Sequence, residues 1–200
     1  MGFAWRPRKT VRDDRRAPEL DGAVLLRCCA QDPMAFQAFV ARYERMVFVL
    51  LAQMLGPGPH VEDLAQDAFL RAYEAFPRFD VQGGRPSTWL LTIAVRLAIN
   101  EQKRSRPSST QEADAIDERT PETERARHEL GLAIQKALGN LSEDHRAVFV
   151  LAELHDLSLA EIANALSIPE NTAKTRLFRA REQLRKLLEP MRKGGRDADR

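Results

Sequence analysis

The residues best suited to act on another molecule lie near the C-terminus, in the run SLAEIANALSIPENTAKTRLFRAREQLRKLL. Ala173, Leu177, Ala180, Leu184 and Leu188 recur at helical spacing and share one stripe. The opposite face is left to Asn171, Thr172, Thr175, Phe178 and Arg179, with Lys174 and Arg176 on the flanks. Such a face matches a DNA major groove. Arg179 and Lys174 can donate to guanine edges or phosphates, Thr175 can meet a base or a phosphate, and Phe178 can contact a thymine methyl. On an ordinary helical hairpin the same face would be a solvated charged surface. The preceding residues favour DNA. Ser158 and Glu161 have the spacing of a capping box, which fixes the start of a short helix. Ser167-Ile168-Pro169 supplies a turn, with Pro169 suited to the first turn of the next helix. A short helix, a tight turn and a longer basic helix with one apolar face make a helix-turn-helix.

The charge distribution agrees. Net charge is only +2, but Lys174 to Arg196 holds nine Lys or Arg against two Glu, whereas Glu112 to Glu124 holds six acids against Arg119 alone. A basic surface for phosphates at one end and an acidic connector in the middle follow from that segregation. Other chemistries find little support. His60, His128, His145 and His155 form no metal-binding spacing, and neither a P-loop nor a Rossmann glycine pattern is present. Glu62, Asp63 and Asp67 share a helix without a partnering ligand helix. The expectation is therefore no catalytic residue, no metal, no cofactor and no enzymatic activity. No apolar run approaches the roughly 20 residues that span a bilayer, and the basic start, Met1 to Arg16, lacks a secretory core. A cytoplasmic protein without membrane insertion is expected. Adjacent Cys28 and Cys29 rarely satisfy disulfide geometry with each other and read as small apolar fillers.

These features require helices to position them, and the fold class expected is all-α, with two small helical domains joined by a flexible acidic linker. Helices are expected over about Asp21 to Cys29, from Pro33 through PMAFQAFVARYERMVFVLLAQML, over VEDLAQDAFLRAYEAF, and over TWLLTIAVRLAINEQKR with Ser87 and Thr88 as cap candidates. The boundaries that follow are a basic extension over 1–20, a first domain over 21–106, a linker over 107–127, a second domain over 128–190 and a fraying tail over 191–200. On the third helix Val61, Ala65, Ala68, Phe69, Ala72 and Phe76 form the core stripe, leaving Asp63, Gln66, Asp67, Leu70 and Glu74 outward. A leucine among acids fits a docking patch for a basic partner helix with an apolar seam; it fits an incidental exposed leucine as well. The basic end of the fourth helix, Lys103 and Arg104 with Arg106 beyond, can follow a phosphate backbone or simply complement the helix dipole. The loop from Phe79 to Pro86, with Gly83 and Gly84, can fold around an extruded base or serve as a connector.

Four segments in order, DPMAFQAFVARYERMV, EDLAQDAFLRAYEAFPRFD, STWLLTIAVRLAINEQKR and LSLAEIANALSIPENTAKTRLFRAREQL, resemble the small sigma factors of bacterial RNA polymerase, the extracytoplasmic-function (ECF, group 4) type. The resemblance covers about Asp21 to Glu189. It implies sigma domains 2 and 4, with core RNA polymerase and promoter DNA as partners and a role in promoter choice and melting. It also implies an anti-sigma factor as a further partner, since the docking surfaces would otherwise bind polymerase continuously. By the same resemblance Asp63, Gln66, Asp67 and Leu70 dock on the polymerase's clamp helices. Arg96, Asn100, Lys103 and Arg104 serve the minus-10 element, and Asn171, Thr172, Lys174, Thr175, Arg176, Phe178 and Arg179 serve the minus-35 element. The acidic linker threads toward the active-site and RNA-exit channels. The chain departs from the family pattern at Arg96, where many members have Asn, and at Ser167 and Asn171, where Gly is common. Unassisted duplex binding by a free-standing regulator is the alternative that the same C-terminal helices allow.

Overall fold

The structure, a computed structural model, describes the backbone of residues 18–104 and 122–197 and the side chains of 18–104 and 131–189. The extension over 1–17 and most of the expected linker lie outside the described residues. No strand occurs among the described residues, as the all-α expectation requires.

In the first domain, α1 (Gly22–Cys29) and α2 (Pro33–Leu55) each begin at an aspartate. Asp21 accepts the backbone N–H of Ala23 at 2.7 Å, and Asp32 accepts that of Met34 at 2.8 Å, satisfying donors that have no partner inside the helix. Phe39, Tyr43, Val47, Leu50, Leu51 and Met54 form the buried face of α2, which stops at Gly56, whose φ of 87° suits glycine. Helix α3 (Pro59–Ala75) begins two residues before the expected Val61, because Pro59 is preset for a first helical turn. It tightens into a 3-10 turn at Phe76–Arg78, where Pro77 cannot continue the α pattern. Helix α4 runs Pro86–Arg104. Ser87 and Thr88 are therefore not its caps; Arg85 accepts the N–H of Trp89 at 3.1 Å, and both hydroxyls are used in tertiary contacts instead. Phe76 stands edge-on to Phe39 at 4.8 Å and to Trp89 at 5.0 Å, an aromatic centre that locks α2, α3 and α4 together. Glu19 accepts from both Tyr43 and Ser87, tying α2 to the start of α4.

The second domain comprises α5 (Glu122–Gly139), α6 (Glu143–Phe149) widening into a π turn at Val150–Leu154, α7 (Leu159–Leu166) and α8 (Glu170–Asp197). Two expectations are corrected. Helix α5 starts inside the stretch read as linker, since ETERARHELGLAIQKAL is a run of strong helix formers despite its charge. Helix α8 extends through Pro190 to Asp197, past the expected domain end at 190, despite the poor helix propensity of Pro190, Gly194 and Gly195. Val148, Leu151, Ile162, Ala173, Leu177 and Ala180 are buried at this domain's centre. The two domains pack together, α4 against α7 and the end of α2 against α5, α6 and the π turn.

Candidate nucleic-acid interface

The capping box is formed. Ser158 accepts the N–H of Glu161 at 3.2 Å, and Glu161 accepts the N–H of Ser158 at 2.8 Å. Burial pushes the Glu161 carboxyl up, but donors from Ser158 and Thr88 outweigh it and hold the group below the ordinary glutamate range. Helix α7 ends where Ser167 takes the left-handed conformation, φ 55° and ψ 46°. That geometry accounts for the glycine common at this position. Asn171, the other departure, has no positive φ, so the unusual backbone angle rests on Ser167 alone. Pro169 lies just outside α8 as its capping residue, with its carbonyl accepting Thr172 and Ala173, rather than inside the first turn.

Burial of Ala173, Leu177, Ala180 and Leu184 turns the opposite face of α8 outward. Asn171, Lys174, Thr175, Phe178 and Arg179 are exposed along it, Phe178 at 63%. Such exposure leaves most of the phenylalanine's apolar surface uncovered by the described residues. Thr175 donates to the Asn171 carbonyl at 2.9 Å and keeps its oxygen as an acceptor. Thr172 is half-buried, and Arg176 pairs with Asp144 on α6 at 2.7 Å, so these two stand at the edge of the set. Arg181, joined to Glu153, pins α8 to the π turn from the side.

On α3, Asp63, Gln66, Asp67 and Leu70 fall three and four positions apart and share one face. Asp67 pairs with Arg71 at 3.0 Å; Leu70 is 64% exposed. On α4 the four candidates separate. All four are exposed, but Arg96 also reaches the second domain. Its guanidinium donates to the carbonyls of Ala165 at 2.9 Å and Asn164 at 3.2 Å, and to the Ser167 hydroxyl at 3.3 Å. The loop before α4 is anchored at its base. Phe79 packs on Trp89 at 4.7 Å, and Asp80 accepts the N–H of Gln82 at 2.9 Å in an Asx turn. Any Cβ at Gly83 would fall 2.5 Å from the Asp80 carboxylate, so a side chain there would push Asp80 out of this turn. Cys28 is fully buried and its thiol is pushed up to about 11, mainly by burial; half-buried Cys29 donates to the Phe79 carbonyl. Both act as packing residues.

Several residues that join the domains escaped the sequence reading. Thr88 donates to Glu161 at 3.1 Å, Gln135 to the Ala52 carbonyl at 2.6 Å and Arg146 to the Met54 carbonyl at 2.6 Å, while His155 meets Gln53 at 3.2 Å. Their partners lie far away in the chain, and no local spacing signals them.

Two helical domains, one ending in a helix-turn-helix whose second helix presents an uncovered polar and basic face, define a DNA-binding protein of the transcription machinery. Comparison with known proteins narrows that class. The Sigma-70 region 2 family matches residues 39–107, and Sigma-70 region 4 matches 131–184. The ECF RNA polymerase sigma factor SigW of Bacillus subtilis (strain 168) is 36% identical, over 78% of this chain and 90% of the relative. The ECF RNA polymerase sigma-E factor of Escherichia coli (strain K12) is 33% identical, over 86% and 95%. Among solved structures, CnrH in complex with the cytosolic domain of CnrY aligns with a TM-score of 0.64 at 26% identity, over 85% of this chain and 97% of that one. The sigma factor RpoE from Bartonella quintana, solved with the anti-sigma factor NepR, shares the fold with a TM-score of 0.61 at 22% identity, over 77% and 96%. The chain belongs to the sigma-70 family, in its extracytoplasmic-function group, the initiation factors that direct RNA polymerase to promoters. Among the described residues no helix is long and apolar enough to cross a membrane.

Proposed function

We propose that this chain divides promoter recognition among three helices. Asp63, Gln66, Asp67 and Leu70 on α3 dock core RNA polymerase. Asn100, Lys103 and Arg104 on α4, with Arg96 once it is free, hold the minus-10 strand, and the α8 face from Asn171 to Arg179 reads the minus-35 duplex. Arg179 and Lys174 supply charge-assisted donors to guanine edges or phosphates, and Phe178 an apolar contact to a thymine methyl. Melting draws on binding: capture of an extruded base offsets an unstacking cost of a few kcal/mol, and the protein itself catalyses no covalent step. Residues 21–106 and 128–190 are the two working domains, the acidic stretch between them is their tether, and the protein works in the cytoplasm. An anti-sigma factor is its regulator, in keeping with the complexes in which CnrH and RpoE were solved.

The observation that carries this reading is the presence of two uncovered faces of opposite character on separate domains, acidic with a leucine 64% exposed on α3 and basic with a phenylalanine 63% exposed on α8. Pull-down with core polymerase and footprinting on promoter DNA test it. Leu70→Asp is expected to lose polymerase, and Arg179→Ala to keep polymerase while upstream-element affinity falls by about 1–3 kcal/mol. Identical defects in the two variants would contradict the division of labour. Tight promoter binding by the chain alone, with nothing added to run-off transcription, would return the case to a free-standing regulator.

A further inference from the structure

The loop from Phe79 to Pro86 is bracketed by one short segment to which no role has been given. Residues 18–29, the approach to α1 and α1 itself, touch the start, the middle and the end of that loop. At the start, the Cys29 thiol donates to the Phe79 carbonyl at 3.7 Å. In the middle, Val81 lies against the backbone of Gly22, where a Cβ would stand 3.9 Å from its side chain. Just past the end, the Ser87 hydroxyl donates to the Glu19 carboxylate. Between these points Gln82, Gly83, Gly84 and Arg85 are exposed, which leaves the tip open to a ligand.

Glu19 makes the strongest of the three attachments. It is itself exposed, yet its carboxylate receives two buried hydroxyls, Tyr43 of α2 at 2.5 Å and Ser87 of α4. Hydrogen bonds to a carboxylate are roughly twice as strong as neutral ones. Its partners and its own backbone are fixed. Tyr43 accepts the N–H of Leu20 at 3.3 Å, and burial together with the Glu19 contact pushes its hydroxyl well above the ordinary tyrosine range, so it stays protonated and donating. Arg42 donates to the Pro18 carbonyl from Nε at 3.3 Å and from Nη2 at 3.2 Å. The aromatic centre of Phe39, Phe76 and Trp89 already joins α2 to α4. A buried serine at the head of α4, held by a carboxylate 68 positions earlier, adds alignment of the loop's exit rather than core volume.

We propose that Glu19 is a positioning residue for promoter opening: by holding Ser87 it fixes the exit of the Phe79–Pro86 loop, which then meets the extruded base already shaped. A loop fixed at its start alone would have to be ordered as the base arrives, and that entropy would be subtracted from the binding that offsets unstacking. Glu19 touches no DNA in this scheme; its effect reaches the base through Ser87 and the loop. The role in opening rests on the function proposed above, whereas the attachment of the loop does not.

Two measurements on the full-length chain test the assignment. Amide hydrogen exchange reads the loop without polymerase or DNA: Glu19→Ala should raise exchange over residues 81–85 severalfold and leave α3 unchanged. Permanganate reactivity of unpaired thymines reads opening, on a duplex fragment from which core polymerase with the wild-type chain gives a run-off transcript. Glu19→Ala should lower that reactivity by about tenfold, the scale of one lost hydrogen bond to a charged acceptor. Polymerase pull-down and retention of the unopened fragment on ice should stay within about twofold of wild type, since neither uses the loop. Glu19→Gln, which keeps one acceptor oxygen, should fall between. Ser87→Ala should lower opening alike, and adding it to Glu19→Ala should lower it no further, because Glu19 acts through Ser87. Unchanged exchange or unchanged reactivity in Glu19→Ala would overturn the proposal. So would equal losses of polymerase binding and opening, the mark of a merely structural role. If the wild-type chain opens no fragment with polymerase, the function proposed above fails and takes the opening role with it; if wild type opens DNA and Glu19→Ala opens it equally well, the positioning role alone fails.

Discussion

Helices α4 and α8 both present arginines assigned to promoter DNA, yet the structure treats them differently. Arg179 on α8 stands on an open face beside Lys174 and an exposed Phe178, whereas Arg96 on α4, exposed as well, donates from Nε and Nη2 to the carbonyls that end α7. The two helices are also positioned differently. An aromatic centre, Phe39, Phe76 and Trp89, holds α4, while α8 lies on small and aliphatic residues, Ala173, Leu177 and Ala180. A basic helix face is therefore not by itself a DNA-binding face; its donors must also be free of the chain's own acceptors.

The largest expected effect tests whether the two supports are independent. Phe76 is fully buried between Phe39 and Trp89, and Phe76→Ala should destabilise the first domain by about 3–5 kcal/mol through lost contacts and an unfilled cavity. Chemical denaturation should show that loss, while binding of an upstream-element duplex by α8 persists at conditions where the second domain remains folded. Equal loss of duplex binding would mean that α8 depends on the first domain's core, and the contrast between the helices would fail.

How far this contrast was legible in the sequence depends on the distance between partners. The capping box of Ser158 and Glu161, the α8 stripe and the outward position of Leu70 are set within one or two turns, and the structure bears each of them out. The caps assigned to Ser87 and Thr88 were misplaced because their partners, Glu19 and Glu161, are remote and Pro86 starts the helix earlier. Arg176 looks like any flank residue until α6 brings Asp144 against it. Arg96 is the sharpest case. An arginine in place of a common asparagine marked the position as unusual, but only tertiary packing brings the α7 carbonyls within its reach.

A smaller effect sharpens the comparison at the turn itself. Ser167 adopts a left-handed backbone that disfavours a residue with a Cβ by about 1–2 kcal/mol. Its hydroxyl also receives Arg96. Ser167→Gly should therefore relieve strain and raise the thermal stability of the second domain, by an amount on the order of 1 kcal/mol, while removing the hydroxyl that receives Arg96. A variant no more stable than wild type would show that the Arg96 contact outweighs the backbone strain.

The smallest expected effect concerns Glu161, which closes the capping box and also receives Thr88 from α4. Burial raises its carboxyl, but the Ser158 and Thr88 donors together lower it by more, leaving it below the ordinary glutamate value when folded. A group depressed in the folded state binds protons more readily when unfolded. Its contribution is thus complete above the ordinary glutamate range and is lost as pH falls through the folded value. Wild type should accordingly lose more thermal stability than Glu161→Gln between about pH 6 and about pH 3, since glutamine keeps a capping side chain that cannot titrate and every other carboxylate is common to both. Melting curves for the pair at each pH measure the difference directly. Parallel loss in the two proteins would mean that Glu161 titrates alike in the folded and unfolded chain, and that neither the cap nor the Thr88 contact depends on its charge.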